Sequence, residues 1–391
     1  MPIAIFALAL GAFAIGLTEF AAMGLLPDIA TDLAVSLPAA GNLVTVYAVG
    51  VVVGAPLLSI AAVRLRRRTA LLLFMGLFAL GHALAAVAPN FGLLLVARFL
   101  SGLPHGAFFG VGALVAASLV PRERRSSAVA SMMLGLTLAN LAGVPAATAL
   151  GGFAGWRLVF FLIAGVGLLC MAGIFVTVPR VAVTERPSLT AEFAALRKPA
   201  VLLVLGTVVL GASGLFAFYT FITPMLTDLA GFRPTTIPIL LAVFGLGMTA
   251  GTIAGGRLSD RFDPRRVVVG LLAVQAGLLV AAVFAVRSPI FAPLVVFGVG
   301  ALGLTFFPSV QSVVMEAAGD APALASATIQ SAFNVANALG AALGGLALAA
   351  GLGLAAPPGV GALLSTFALV PALLAVVLAK RTRRRAVAVP A

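Results

Sequence analysis

Arg98-Phe99-Leu100-Ser101-Gly102-Leu103-Pro104-His105-Gly106-Ala107-Phe108-Phe109 decides how this chain is read. The stretch lies inside an apolar run from about residue 91 to 117, long enough to cross a bilayer as a helix. Arg98, Gly102, His105 and Phe109 recur at helical spacing, so they share one face. Arginine and histidine are costly in hydrocarbon, and that face should look into protein or a water-filled cavity. The competing reading is an arginine that snorkels to the headgroups. Arg98 lies about two turns inside the helix end, roughly 9–10 Å at 1.5 Å per residue, which leaves that reading open. An intramembrane charge is by default a functional hypothesis with a partner to be found.

Composition places the rest of the chain in the same setting. The 391 residues are 62% hydrophobic and 9% charged, with a mean hydropathy of +1.21. Soluble domains carry about 25% charged residues, so this is a polytopic membrane protein. The net charge of +13 does not point to nucleic acid, because the arginines fall in short loops between apolar runs. A single cysteine, Cys170, excludes a disulfide framework. With His82 and His105 it makes no metal site, and no cofactor is expected. No catalytic triad or nucleotide-binding loop is visible, so neither an enzyme nor direct use of ATP is expected. The first run, residues 3–26, is too long for a signal-peptide core and follows no basic residue, so it reads as a retained helix.

Twelve runs have spanning length: about 3–27, 39–62, 70–88, 91–117, 127–150 and 157–178, then 200–226, 236–256, 266–286, 289–315, 323–350 and 359–379. This predicts an all-α membrane protein with a six-helix bundle over 1–178, a linker over 179–199, a second bundle over 200–380 and a basic tail over 381–391. Alternate connections are basic, namely Arg64 with Arg66–Arg68, Arg122 with Arg124 and Arg125, the linker, and Arg257, Arg261, Arg265 and Arg266. That asymmetry puts both termini and the linker in the cytoplasm. One basic-side connection, residues 316–320, lacks positive charge. The halves repeat each other: Thr31-Asp32-Leu33-Ala34 recurs as Thr227-Asp228-Leu229-Ala230, Gly50-xxx-Gly54 as Gly247-xxx-Gly251, and Asn140-xx-Gly143 as Asn337-xx-Gly340. Six helices per copy is an even number, so both copies share one orientation.

These residues resemble a major facilitator superfamily transporter over essentially the whole chain. The branch is similar to the drug:proton antiporters, the bacterial sugar-efflux (arabinose efflux permease-like) and chloramphenicol-efflux permeases. Thr18-Glu19-Phe20 with Gly24-Leu25-Leu26-Pro27 carries the likeness, as do Arg98-xxx-Gly102-x-Pro104-His105-Gly106, Ala139-Asn140-Leu141-x-Gly143-x-Pro145 and Asn334-xx-Asn337-Ala338-Leu339-Gly340. The family's loop motif is kept as Gly256-xxx-Asp260-Arg261 with Arg265 and Arg266. In the first half Val63 stands where the aspartate is usual, before Arg64, which puts a first-half latch in doubt. Asp260, Arg261 and Arg64 are the gating-loop candidates. Gly143-Val144-Pro145 also replaces the usual adjacent Gly-Pro. The resemblance implies a monomer in a bacterial inner membrane that moves a small molecule, with protons and lipid as its other partners.

Glu19 is the one carboxylate well inside a predicted spanning run. It sits about two-thirds along the first run, and Arg98 near the start of the fourth, which runs the opposite way, so both fall in the outer half. Leu215 and Val295 align with them in the second half, which confines the charge chemistry to one bundle. Glu19, Arg98 and His105 are therefore the proton-coupling candidates, against a static ion pair that merely fixes two helices. For substrate, Gln330, Asn334 and Asn337 form one helical stripe and Asn140 is the first-half counterpart of Asn337. Such amides are either interhelical glue or hydrogen-bonders to a ligand. Phe109, Phe218 and Tyr219 add aromatic surface suited to a small amphipathic molecule. The expected activity is proton-coupled efflux by alternating access. The alternatives are a passive facilitator or importer on the same fold, or a membrane sensor that moves nothing.

Overall fold

The computed structural model describes residues 2–62, 65–121, 124–179, 198–318 and 322–387. Among them twelve helices are long and apolar enough to cross a membrane, and no strand occurs. In chain order they are α1 (Ile3–Gly24), α2 (Leu37–Ala62), α3 (Arg67–Ala86), α4 (Phe91–Ser118), α5 (Ser127–Ala154), α6 (Trp156–Thr177), α7 (Pro199–Thr220), α8 (Pro234–Arg261), α9 (Pro264–Ala285), α10 (Ala292–Glu316), α11 (Thr328–Ala349) and α12 (Ala356–Ala379). The all-α, twelve-span expectation holds. Helices prevail because hydrocarbon offers the backbone no partner, so every amide must be satisfied within its own segment.

Local chemistry sets the ends and the breaks. Asn90 caps α4 by accepting from the Leu93 amide (3.0 Å), and Asp263 caps α9 by accepting from that of Arg265 (2.9 Å). Gly155, at φ 86°, makes the reversal between α5 and α6 that a side chain would strain. α1 breaks at Leu25 and continues as the short helix Leu26–Asp32, and the chain after α7 breaks at Phe221 in the same way. α4 breaks at Leu103, because Pro104 has no amide hydrogen to continue the ladder. α5 widens into a π turn over Ala139–Gly143, just before Pro145. α11 has no proline after Asn337, and its helix Pro322–Ala349 runs through unbroken.

Glycines permit the closest crossings. A Cβ at Gly50 or Gly54 of α2 would collide with the carbonyl oxygens of Phe99 and Leu103 on α4. One at Gly247 or Gly251 of α8 would collide with those of Phe297 and Ala301 on α10. The repeated Gly-xxx-Gly pair therefore does the same work in both halves, letting two backbones touch where lipid supplies no drive to associate.

The chain packs as two compact units, one of Met1–Arg186 with Thr220–Gly245 and the other of Pro187–Tyr219 with Leu246–Ala391. In the first, Thr223 Oγ1 donates to the Gly24 carbonyl (3.2 Å) and α1 is the most enclosed helix. In the second, α9 and α12 present most of their surface outward, as helices facing lipid would. Most of the 179–199 linker, the basic-loop residues Arg64 and Arg122, and the last residues of the tail lie outside the described residues.

Candidate functional site

Arg98 sits on α4 one turn before the Leu103 break and is completely buried. Its Nη1 donates to Thr18 Oγ1 (2.8 Å), Nη2 to the Thr18 carbonyl (3.5 Å) and Nε to the Leu43 carbonyl (3.4 Å). The guanidinium carbon lies 4.2 Å from the centre of the Tyr47 ring and 5.8 Å from that of Phe160. Three other helices, α1, α2 and α6, therefore hold it. Snorkelling is excluded: the charge points inward and is solvated by protein. Burying a cation is costly unless its donors are matched and a counter-charge is near. Glu19, adjacent to Thr18 and 3% exposed, lies close enough to Arg98 and Tyr47 for a charge on it to act on both.

His105 follows Pro104 on the second segment of α4 and is also fully buried. The Tyr47 hydroxyl and His105 Nδ1 are 3.1 Å apart, and the Phe109 ring centre is 5.3 Å from the imidazole. Among the described residues His105 Nε2 has no hydrogen-bond partner. Tyr47 thus touches Arg98 with its ring face and His105 with its hydroxyl. The shared face read from the sequence survives the break at Leu103, but Tyr47 makes the connection.

Two residues that sequence reasoning passed over complete this cluster. Thr18 is the direct partner of Arg98, and His82 on α3 places Nε2 2.6 Å from Thr18 Oγ1 and Nδ1 2.7 Å from the Phe78 carbonyl. Thr18 was visible only as the neighbour of Glu19, and His82 only as a second histidine inside an apolar run.

The second unit holds an uncharged counterpart. Gln275 on α9 donates from Nε2 to the Gly211 carbonyl (2.7 Å) and to Ser365 Oγ (2.9 Å). His82 and Thr18 are 64 residues apart, and so are Gln275 and Gly211. Each half therefore ties its third helix to its first with one buried polar side chain. Two amides bond back within their own helices: Asn140 Nδ2 donates to the Leu136 carbonyl and Asn334 Nδ2 to that of Gln330, both at 3.0 Å. Asn334 Oδ1 is buried without a hydrogen-bond partner among the described residues, while Asn337, Phe218 and Tyr219 are all at most 1% exposed. Glu19, Arg98, His105, Phe109 and Asn140 belong to the first unit, and Gln330, Asn334, Asn337, Phe218 and Tyr219 to the second.

The loop candidates are at the surface. Asp260 and Arg261 are exposed at the end of α8, and Arg64 is outside the described residues. Arg265 pairs with Glu316 at 3.0 Å, so the acidic end of α10 neutralises a basic residue in the first turn of α9. At the opposite helix ends, Arg157 and the Trp156 indole both donate to Asp32 Oδ2. Arg157 holds the Asp32 carboxyl below its ordinary range, whereas burial pushes that of Asp28 up.

A family model described as Major Facilitator Superfamily matches residues 8–345 and 217–391. The inner membrane transport protein YdhP of Escherichia coli (strain K12) is 44% identical over 363 residues, covering 93% of each chain. A chloramphenicol resistance protein of Streptomyces lividans is 37% identical over 359 residues, covering 90% of each. Among solved structures, a bacterial homologue of the human lysosomal transporter Spinster, in an inward-facing and occupied conformation, superposes with a TM-score of 0.76. It covers 95% of this chain and 96% of that one at 16% identity, a likeness of fold.

Proposed function

The chain belongs to the major facilitator superfamily and is a multi-pass membrane transporter, and from that premise we propose that it is a proton-coupled efflux antiporter. It exports a small amphipathic molecule, a sugar or a chloramphenicol-like drug, by alternating access. The observation that carries the reading is Arg98, wholly buried within a spanning helix beside Glu19, while Leu215 and Val295 occupy the aligned positions. A carboxylate in that setting must be neutral or paired. A step that changes the separation of Glu19 and Arg98 changes the proton affinity of the carboxyl, which is what coupling requires. His105, joined to Arg98 through Tyr47, extends the same cluster. The open acceptor of Asn334, with Asn337, Gln330 and Asn140, would meet polar groups of the substrate. Phe109, Phe218 and Tyr219 would meet its apolar face. Asp260 and Arg261, with Arg64, would act as loop gates. The name of the Streptomyces relative supports the drug alternative.

A passive facilitator has no use for an internal cation and carboxylate, which is why coupling is preferred. The test is transport of chloramphenicol and of a pentose into proteoliposomes under an imposed pH gradient. With one proton exchanged per neutral substrate, one pH unit sustains about tenfold accumulation. Glu19→Gln should keep the fold, substrate binding and substrate exchange, and lose that accumulation. Proton-driven accumulation at wild-type rates in this variant would sink the proposal.

A further inference from the structure

The hydrogen bonds around Thr18 have a direction. The Phe78 carbonyl can only accept, so His82 Nδ1, 2.7 Å away, carries a proton. In the neutral ring Nε2 is then an acceptor, and at 2.6 Å it takes the single hydroxyl proton of Thr18. The Thr18 oxygen is left with lone pairs only, and one of them receives Arg98 Nη1 at 2.8 Å. The chain runs from Arg98 to Thr18 to His82 to Phe78 with every donor meeting an acceptor.

We propose that His82 is a positioning residue for Arg98: by taking the Thr18 proton it keeps the Thr18 oxygen turned to the guanidinium. The inference rests on the reading that Arg98 and Glu19 form the coupling pair, and it deepens that site by adding its anchor. The comparison with the second half separates this role from a simple strut. Gln275 donates into the backbone of α7, and that suffices to tie two helices. His82 does the reverse and accepts. The acceptor gives the Thr18 proton a fixed direction, away from the guanidinium that Arg98 brings to the same oxygen. A second donor from α3 could use the other lone pair but would leave that proton without this partner. The ring itself is seated against Phe78, with centres 4.1 Å apart, and near Phe160 at 6.1 Å, which fixes its plane.

Ring-nitrogen NMR on protein labelled with 15N-histidine tests this directly. The chain has two histidines, and the signals lost in His82→Gln belong to His82. At about pH 7, the expected pattern is a protonated Nδ1 and a bare Nε2. A proton on Nε2 would overturn the proposal. Arg98→Gln and Thr18→Val should each move the Nε2 resonance, although Arg98 makes no direct bond to the ring. An Nε2 signal indifferent to Arg98→Gln also overturns it. In transport, the Gln amide of His82→Gln can donate to Phe78 and accept from Thr18, so it should retain activity within about threefold. His82→Leu keeps the volume and removes the acceptor, and should lose roughly tenfold or more, the scale of one hydrogen bond to a charged group. Equal activity in two variants that melt alike would reduce His82 to packing. The tautomer and its response to Arg98 are read without transport, so a failure of proton coupling is distinguishable from a failure of this inference.

Discussion

Gly54→Ala tests the crossing on which the site is built. A Cβ there would lie 2.6 Å from the carbonyl carbon of Leu103 and closer still to its oxygen. Ordinary contact begins near 3.4 Å, so α2 and α4 would have to part by more than about 0.8 Å in an interior packed without slack. Overpacking of this kind costs about 1–3 kcal/mol. Gly110→Ala on the partner helix α4 is the control, because its added methyl meets nothing within 4 Å. Both variants gain the same helix propensity, up to about 1 kcal/mol, so the difference between them isolates the crossing. Chemical unfolding in detergent should place Gly54→Ala about 1–3 kcal/mol below Gly110→Ala. Leu103 lies between Arg98 and His105, and Gly102 packs on the Tyr47 carbonyl. The same displacement therefore shifts both groups against Tyr47, and proton-driven transport should fall more in Gly54→Ala than in Gly110→Ala. Coincident unfolding midpoints would refute the reasoning, since backbone contact would then not be what holds α2 to α4.

Three further outcomes are expected. Asp32 is ionised in its pair with Arg157, and its folded pKa lies below the ordinary 3.8, so the stabilisation is complete above that value and lost as pH falls through the lower, folded one. The pair is 38% and 45% exposed, which limits it to about 0.5 kcal/mol. Melting between pH 6 and pH 3 should fall slightly further in wild type than in Asp32→Asn, and equal losses would mean the pair contributes nothing. Asn334→Ala should weaken substrate binding about three- to tenfold, the worth of one neutral hydrogen bond; normal binding with a lowered melting point would make the amide structural glue. In intact cells, Ser288→Cys should react with an impermeant thiol reagent and Ser188→Cys, in the linker, should resist it, as the charge asymmetry requires. Ready labelling at Ser188→Cys would reverse the orientation.

The sequence by itself determined the class, the twelve spans and the internal repeat. Hydrocarbon thickness demands about twenty apolar residues per crossing and leaves the backbone no partner but itself, so composition and length suffice. It also marked Glu19, Arg98 and His105, because charge inside such a run is conspicuous wherever it points. It showed Pro145 inside the fifth run, but not the π turn that precedes it. What only the tertiary structure decided is which side chains meet. Arg98 reaches Thr18 across 80 residues, Thr18 reaches His82 across 64, and Tyr47 reaches His105 across 58. A threonine and a histidine in helices apolar all round carry no mark of the face they present, since such helices have no polar stripe to orient them. For the same reason Gly54 and Gly110 look alike in the sequence, yet one touches a backbone and the other faces open space. Glu316 was an anomaly in the charge pattern until the packing of α10 on the start of α9 set it beside Arg265. Helix rotation and crossing are settled by packing between segments distant along the chain, and the polar cluster around Arg98 exists only once that packing is complete.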